Sequence, residues 1–92
     1  MPYYAVTYVY TDDAETRGRV RPEHRAFLGS QENLVASGPT GTGGGALLIF
    51  EAASAAEVEN QLDDDPYAHA GLIASRSVTE WDIVLGRWSQ PA

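Results

Sequence analysis

The densest group of chemically capable side chains lies at residues 63–72, Asp-Asp-Asp-Pro-Tyr-Ala-His-Ala-Gly-Leu. Asp65 before Pro66 reads as a helix N-cap carboxylate with proline at the first helical position. Such a cap also fixes a carboxylate where a second group could use it. Asp63 and Asp64 then form the solvated end of a preceding helix, where acids oppose the macrodipole. His24 is the second candidate. It stands three residues before Phe27 and four before Leu28, so it borders a buried helix face. A half-buried imidazole needs partners for its ring nitrogens. A carboxylate partner would favour the imidazolium and make the ring a proton carrier near neutral pH. Residue types and spacing alone leave both side chains open to a structural or a catalytic role.

Other constellations carry less. Gly41-Thr42-Gly43-Gly44-Gly45-Ala46 matches G-x-G-x-x-A but runs into Leu47-Leu48-Ile49-Phe50-Glu51, a strand and not the helix N-terminus that a pyrophosphate needs. His24, Asp65 and His69 would suffice in number for a two-histidine, one-carboxylate metal site. Only Asp65 and His69 are locally related, so no metal is assigned and His69 reads as solvent-facing. Heme and flavin have no ligand pattern here, and no cofactor is expected.

The 92-residue chain has a formal net charge of −7 and no cysteine, and its six basic residues are all arginine. Acidity of this degree disfavours nucleic acid. The run of Lys/Arg, Gly and aromatics typical of RNA-binding split-βαβ domains is also missing. Without lysine there is no Schiff base, and without cysteine no thiolate chemistry. Arg17, Arg19, Arg21 and Arg25 concentrate positive charge just before and within the first helix, as a solvated helix start would. No apolar run approaches the roughly 18 residues of a membrane span, and no basic region precedes the N-terminal apolar stretch. These features lead us to expect a single cytoplasmic domain over residues 1–92, with a frayed tail at 87–92 and no membrane partner.

The pattern predicts strands at 3–10, 34–39, 46–52 and 72–86, and helices at 21–34 and 55–62 with a further turn from Pro66. Residues 11–19 read as a polar loop, Pro22 as the first turn of its helix, and Asn33 as a left-handed stop. Ser54 and Glu57 form a capping box. The order β-α-β-β-α-β is the ferredoxin-like motif, an α+β fold with an antiparallel sheet and helices on one face. Strand one offers Tyr4, Val6, Tyr8 and Tyr10 on one side and Ala5, Thr7 and Val9 on the other, while strand three is apolar on both. Two helices cover one face, so the other is expected to meet a second copy of the sheet in a homodimer, with a bound apolar ligand as the companion possibility.

The ordered set Arg-Pro-Glu-His-Arg-Ala-Phe-Leu (21–28), Leu-Val-Ala-Ser-Gly-Pro (34–39), Gly-Gly-Ala-Leu-Leu-Ile-Phe-Glu-Ala (44–52) and Asp-Pro-Tyr-Ala-His-Ala-Gly-Leu (65–72) resembles the YCII-related (YciI-like) proteins of the dimeric α+β barrel superfamily. The resemblance implies a cleft with a His–Asp pair proposed as catalytic, carried here by His24 and Asp65. It places Ser37, Gly38 and Pro39 beside that cleft and Arg21 at a basic position one turn before the histidine. Tyrosines of the first strand, Tyr8 among them, would supply ring wall. The chain departs from the family pattern at Asn33-Leu34, in its long glycine-rich hairpin and at His69.

What this implies is proton transfer by His24 and Asp65 on a small cyclic or hydroxylated compound, in the manner of a dehydrochlorinase, another lyase or an isomerase. Arg21 or backbone N–H groups near Ser37 would stabilise a developing oxyanion. The alternative is a non-catalytic homodimer that binds a small molecule or supports a partner.

Overall fold

The computed structural model describes residues 1–89. Seven elements follow one another: β1 (Tyr3–Tyr10), α1 (Ala14–Gly29), β2 (Leu34–Thr40), β3 (Gly45–Glu51), α2 (Ala55–Leu62), α3 (Pro66–His69) and β4 (Ile73–Trp81). The strands form one sheet in the order β2-β3-β1-β4, with all three neighbouring pairs antiparallel. This is the expected ferredoxin-like α+β architecture, with the first and third strands central.

Alternation along β1 explains the core. Tyr4, Val6 and Tyr8 point to the helical side and are buried with Leu48 and Phe50 of β3, Leu28 of α1, and Val58 and Leu62 of α2. On the other side Val9 is 47 % and Leu47 44 % exposed. That face mixes Val9, Leu47 and the buried Ile49 with Thr7, Ser75, Ser77 and Thr79, and none of the described helices packs its core residues on it.

Four local expectations are corrected. Residues 14–19 are helix, not loop, because Asp13 caps the chain early, its carboxylate accepting from the Thr16 N–H at 3.0 Å. Pro22 therefore lies inside α1 and not in its first turn. The helix passes through it because the carbonyl that loses its partner belongs to Gly18, which is exposed to water. Asn33 is not a left-handed stop: α1 ends at Gly29 with Ser30 in the right-handed region, and only glycines have positive φ among the described residues. The last strand stops at Trp81 instead of 86. Of the tail expected to fray, Gln90, Pro91 and Ala92 lie outside the described residues.

Other signals hold in detail. Ser54 accepts from the Glu57 N–H, and Glu57 reaches back to the Ala53 N–H, both at 3.2 Å. The acidic end of α2 is offset by Arg76, which binds Asp63 at 2.9 Å and Glu59 at 3.0 Å. Gly38 and Pro39 fall within β2, an edge strand, where a missing N–H is tolerated. Gly45 is required at the start of β3, since a Cβ there would run into the Tyr8 carbonyl oxygen.

Candidate active site

Three elements bring the site together. The second-last turn of α1 sinks His24 to 8 % exposure, β1 supplies Tyr8 from the sheet, and the α2–α3 junction supplies Asp65, which is 0 % exposed. Asp65 is the expected cap: its side chain accepts from the Tyr67 N–H at 3.0 Å. The same carboxylate lies 2.8 and 3.1 Å from His24 Nδ1 and accepts from the Tyr8 hydroxyl at 2.9 Å. Three donors converge on one buried carboxylate, so its acceptor capacity is used without water. No fully buried side-chain nitrogen or oxygen among the described residues lacks a partner.

This arrangement sets the tautomer. Nδ1 faces an acceptor-only group and carries the proton, which leaves the Nε2 lone pair of the neutral ring available. His24 lines a cleft of about 530 Å³, and Nε2 has no protein partner among the described residues. Tyr67 fixes the plane of the imidazole, stacking on it at 3.8 Å between centroids and 5° between planes. Tyr10 in turn meets Tyr67 edge-on at 5.4 Å. The ring is thus held by its Nδ1 edge and by one face, while Nε2 is left for a ligand.

The cleft walls come from β1, α1, β2, β3 and α3. Arg21, Ser37, Gly38 and Pro39 all line it, together with Tyr10, Arg17, Arg25 and Tyr67. Ser37 and Pro39 pair with Leu48 and Ala46 in the sheet register, which puts them on the helical side. Tyr8 is not one of the lining residues. It is buried behind His24, and its hydroxyl is committed to Asp65. The ring wall expected of Tyr8 is supplied by Tyr10 and Tyr67. His69 is exposed on α3 and does not join His24; among the described residues no three His, Cys, Asp or Glu side chains are grouped to hold a metal.

Sequence reasoning passed over Tyr67, although its place after Asp-Pro was a signal: the second helical residue donates its N–H to the cap and so must sit against it. Arg17 and Arg25 also had a signal, their spacing of four on either side of Arg21.

Burial raises the phenol pKa of both Tyr8 and Tyr10. For Tyr8, desolvation acts first and the Asp65 charge adds to it. Tyr10 is pushed up to about 12, by burial first, then by Tyr67 and Asp65, against the opposing pull of Arg17 and Arg21. Folded pKa values above the unfolded value of about 10 mean that the unfolded chain loses these protons first, so stability falls as pH rises through 10. We expect the denaturation midpoint to drop between pH 10 and 12, with Tyr8→Phe showing a shallower drop. Parallel profiles for the two proteins would contradict that assignment.

With this geometry in view, comparison with known proteins is decisive for family. The sequence profile of the YCII-related domain matches residues 1–82. The chain belongs to the YCII-related family. Among solved structures, the YCII-related chain is similar to 5-chloro-2-hydroxyhydroquinone dehydrochlorinase from Burkholderia phenoliruptrix, in complex with 2,5-dihydroxybenzoquinone. That likeness has a TM-score of 0.79 and 27 % identity, covering 96 % of this chain and 99 % of the other. An uncharacterized NIPSNAP domain protein from Burkholderia xenovorans shares the fold, with a TM-score of 0.56, 13 % identity and coverage of 99 % and 100 %. A protein from Agrobacterium tumefaciens does so at 0.54 and 18 %, covering 97 % of each chain. No curated protein matches the chain. The protein is thus a YCII-related member of the dimeric α+β barrel superfamily.

Proposed function

We propose that this YCII-related protein is a proton-transfer enzyme for small hydroxylated cyclic compounds, with His24 as general acid and base and Asp65 as its orienting partner. The observation that carries the reading is the buried His24–Asp65 pair at 2.8 Å whose imidazole lines the cleft. Likeness to a dehydrochlorinase bound to a dihydroxylated quinone supports the substrate class.

For a ring bearing hydroxyls and a leaving group, His24 first carries a hydroxyl proton to the carbon that holds the leaving group, giving the keto tautomer. Nε2 then takes a second hydroxyl proton, the oxygen's electrons form a carbonyl, and the leaving group departs with its bonding pair. The net change is loss of one proton and one anion. No external oxidant or reductant is needed, because the ring reaches the quinone level as the leaving group takes its bonding pair, and the proton held on His24 then passes to solvent.

The protein is proposed to work as a homodimer through the open sheet face, because the Val9–Leu47 surface needs an apolar cover.

The direct test is to incubate the protein with chlorinated hydroxyquinols and follow free chloride together with the quinone absorbance. Release of chloride in step with quinone is the expected result. If no hydroxylated ring with a leaving group, and none that merely isomerises, is turned over above the uncatalysed rate, the enzyme reading falls.

A further inference from the structure

The mechanism above uses the imidazole but leaves one wall of the cleft unexplained. Arg17, Arg21 and Arg25 stand at intervals of four along α1, and all three line the cleft with His24. They are half of the chain's six basic residues, against thirteen acids, and yet among the described residues no aspartate or glutamate lines the cleft. Like charges spaced by four repel along a helix, and a chain this rich in acids had partners to offer. Arg17 is pinned, donating to the Thr11 carbonyl at 2.9 Å with its guanidinium 5.0 Å from the Tyr10 ring centroid. Among the described residues Arg21 and Arg25 have neither an ion-pair partner nor a side-chain hydrogen bond. Both are exposed at the cleft, one turn before and one residue after His24.

We propose that this wall is an anion subsite, and that the substrate carries a fixed negative group, such as a carboxylate, which Arg21 and Arg25 bind while its hydroxylated ring reaches His24 Nε2. The proposal rests on the cleft being the reaction site and adds the charge of the substrate. Guanidinium groups suit carboxylate oxygens in geometry as well as charge. The same cations also stabilise negative charge that develops elsewhere on the ring as protons leave.

Gentisate and hydroquinone make the test, since they share a ring with two hydroxyls and differ in one carboxylate. Their dissociation constants are measured by NMR titration with the native protein and with Arg21→Gln/Arg25→Gln, at low and at high salt. Both substitutions are at exposed positions, and thermal melting verifies that the double variant is folded. Gentisate should bind at least about fivefold more tightly than hydroquinone, an advantage that the double variant loses and that added salt reduces. Equal affinity for the two probes, no binding of gentisate at millimolar concentration, or unchanged gentisate binding by the double variant would each overturn the subsite. The enzyme reading is judged separately. Selective gentisate binding without turnover of any hydroxylated ring would leave the subsite standing and remove the enzyme. Turnover with no preference between the probes would do the reverse.

Discussion

His24→Asn is expected to lower turnover of a hydroxylated ring substrate by about 10²–10⁴-fold, the usual worth of a positioned acid/base, while leaving the fold in place. Asparagine can keep a donor toward Asp65, so the buried carboxylate at 2.8 Å is not stranded. What it cannot do is accept and return a proton at the position of Nε2, the ring nitrogen with no protein partner among the described residues. The measurement is kcat and KM side by side with a thermal melt. A fall in kcat with KM nearly unchanged assigns the histidine to the chemistry. Loss of stability with no change in turnover would make His24 a structural residue, and the chain would then fit the non-catalytic reading. A ¹⁵N spectrum of the imidazole adds an independent check, since Nδ1 should carry the proton in the native protein and lose that preference in Asp65→Asn.

Asp65→Ala should be the most destabilising of the polar substitutions, by about 3–5 kcal/mol. The side chain is 0 % exposed and receives the Tyr8 hydroxyl, His24 Nδ1 and the Tyr67 N–H. Alanine strands all three donors in a space that water does not reach, and each buried orphan costs about 1–3 kcal/mol. It also removes the cap of α3, so the turn that holds Tyr67 against the imidazole loses its start. For a domain with a total stability of about 5–15 kcal/mol this is a large fraction, and the melting temperature should fall by at least about 12 °C. Asp65→Asn, which keeps one acceptor oxygen, should lie between. Denaturant titration of the native, Asp65→Asn and Asp65→Ala proteins would test the ranking. A loss under about 1 kcal/mol for alanine would mean that the carboxylate is not the shared acceptor. Tyr8→Phe gives the neighbouring leg of a double-mutant cycle with Asp65→Ala, and the two effects should be strongly non-additive because they remove the same bond.

The site was only partly legible from local pattern. Asp65 was readable as a cap because a cap needs only the next three residues. His24 was readable as bordering a buried face because helical spacing is local too. That the two meet across forty-one positions came from resemblance to a family, since no local signal reports a contact between α1 and the start of α3. Tyr8 went astray for a related reason. Alternation along β1 grouped it with Tyr4 and Val6 on one side of the strand, but the hydroxyl's destination depends on where the α2–α3 junction lands, and that junction supplied Asp65 as its acceptor in the interior, away from the cleft lining. The α1 boundary failed differently: Pro22 reads as a helix start and the polar residues before it as loop, whereas Asp13 had already started the helix and solvent could satisfy the carbonyl freed by Pro22.

By itself, then, the sequence determined the order of strands and helices, the two-sided apolar character of the central strands and the caps at Ser54 and Asp65, because these follow from periodicity and from bonds spanning a few residues. Tertiary structure alone decided that Asp65 is shared by three donors, that Tyr67 lies flat on His24, and that Arg17, Arg21 and Arg25 form a wall of the cleft instead of a solvated helix start. Those features depend on how α1, α3 and the sheet are laid against one another, and a one-dimensional pattern does not encode the distances between them.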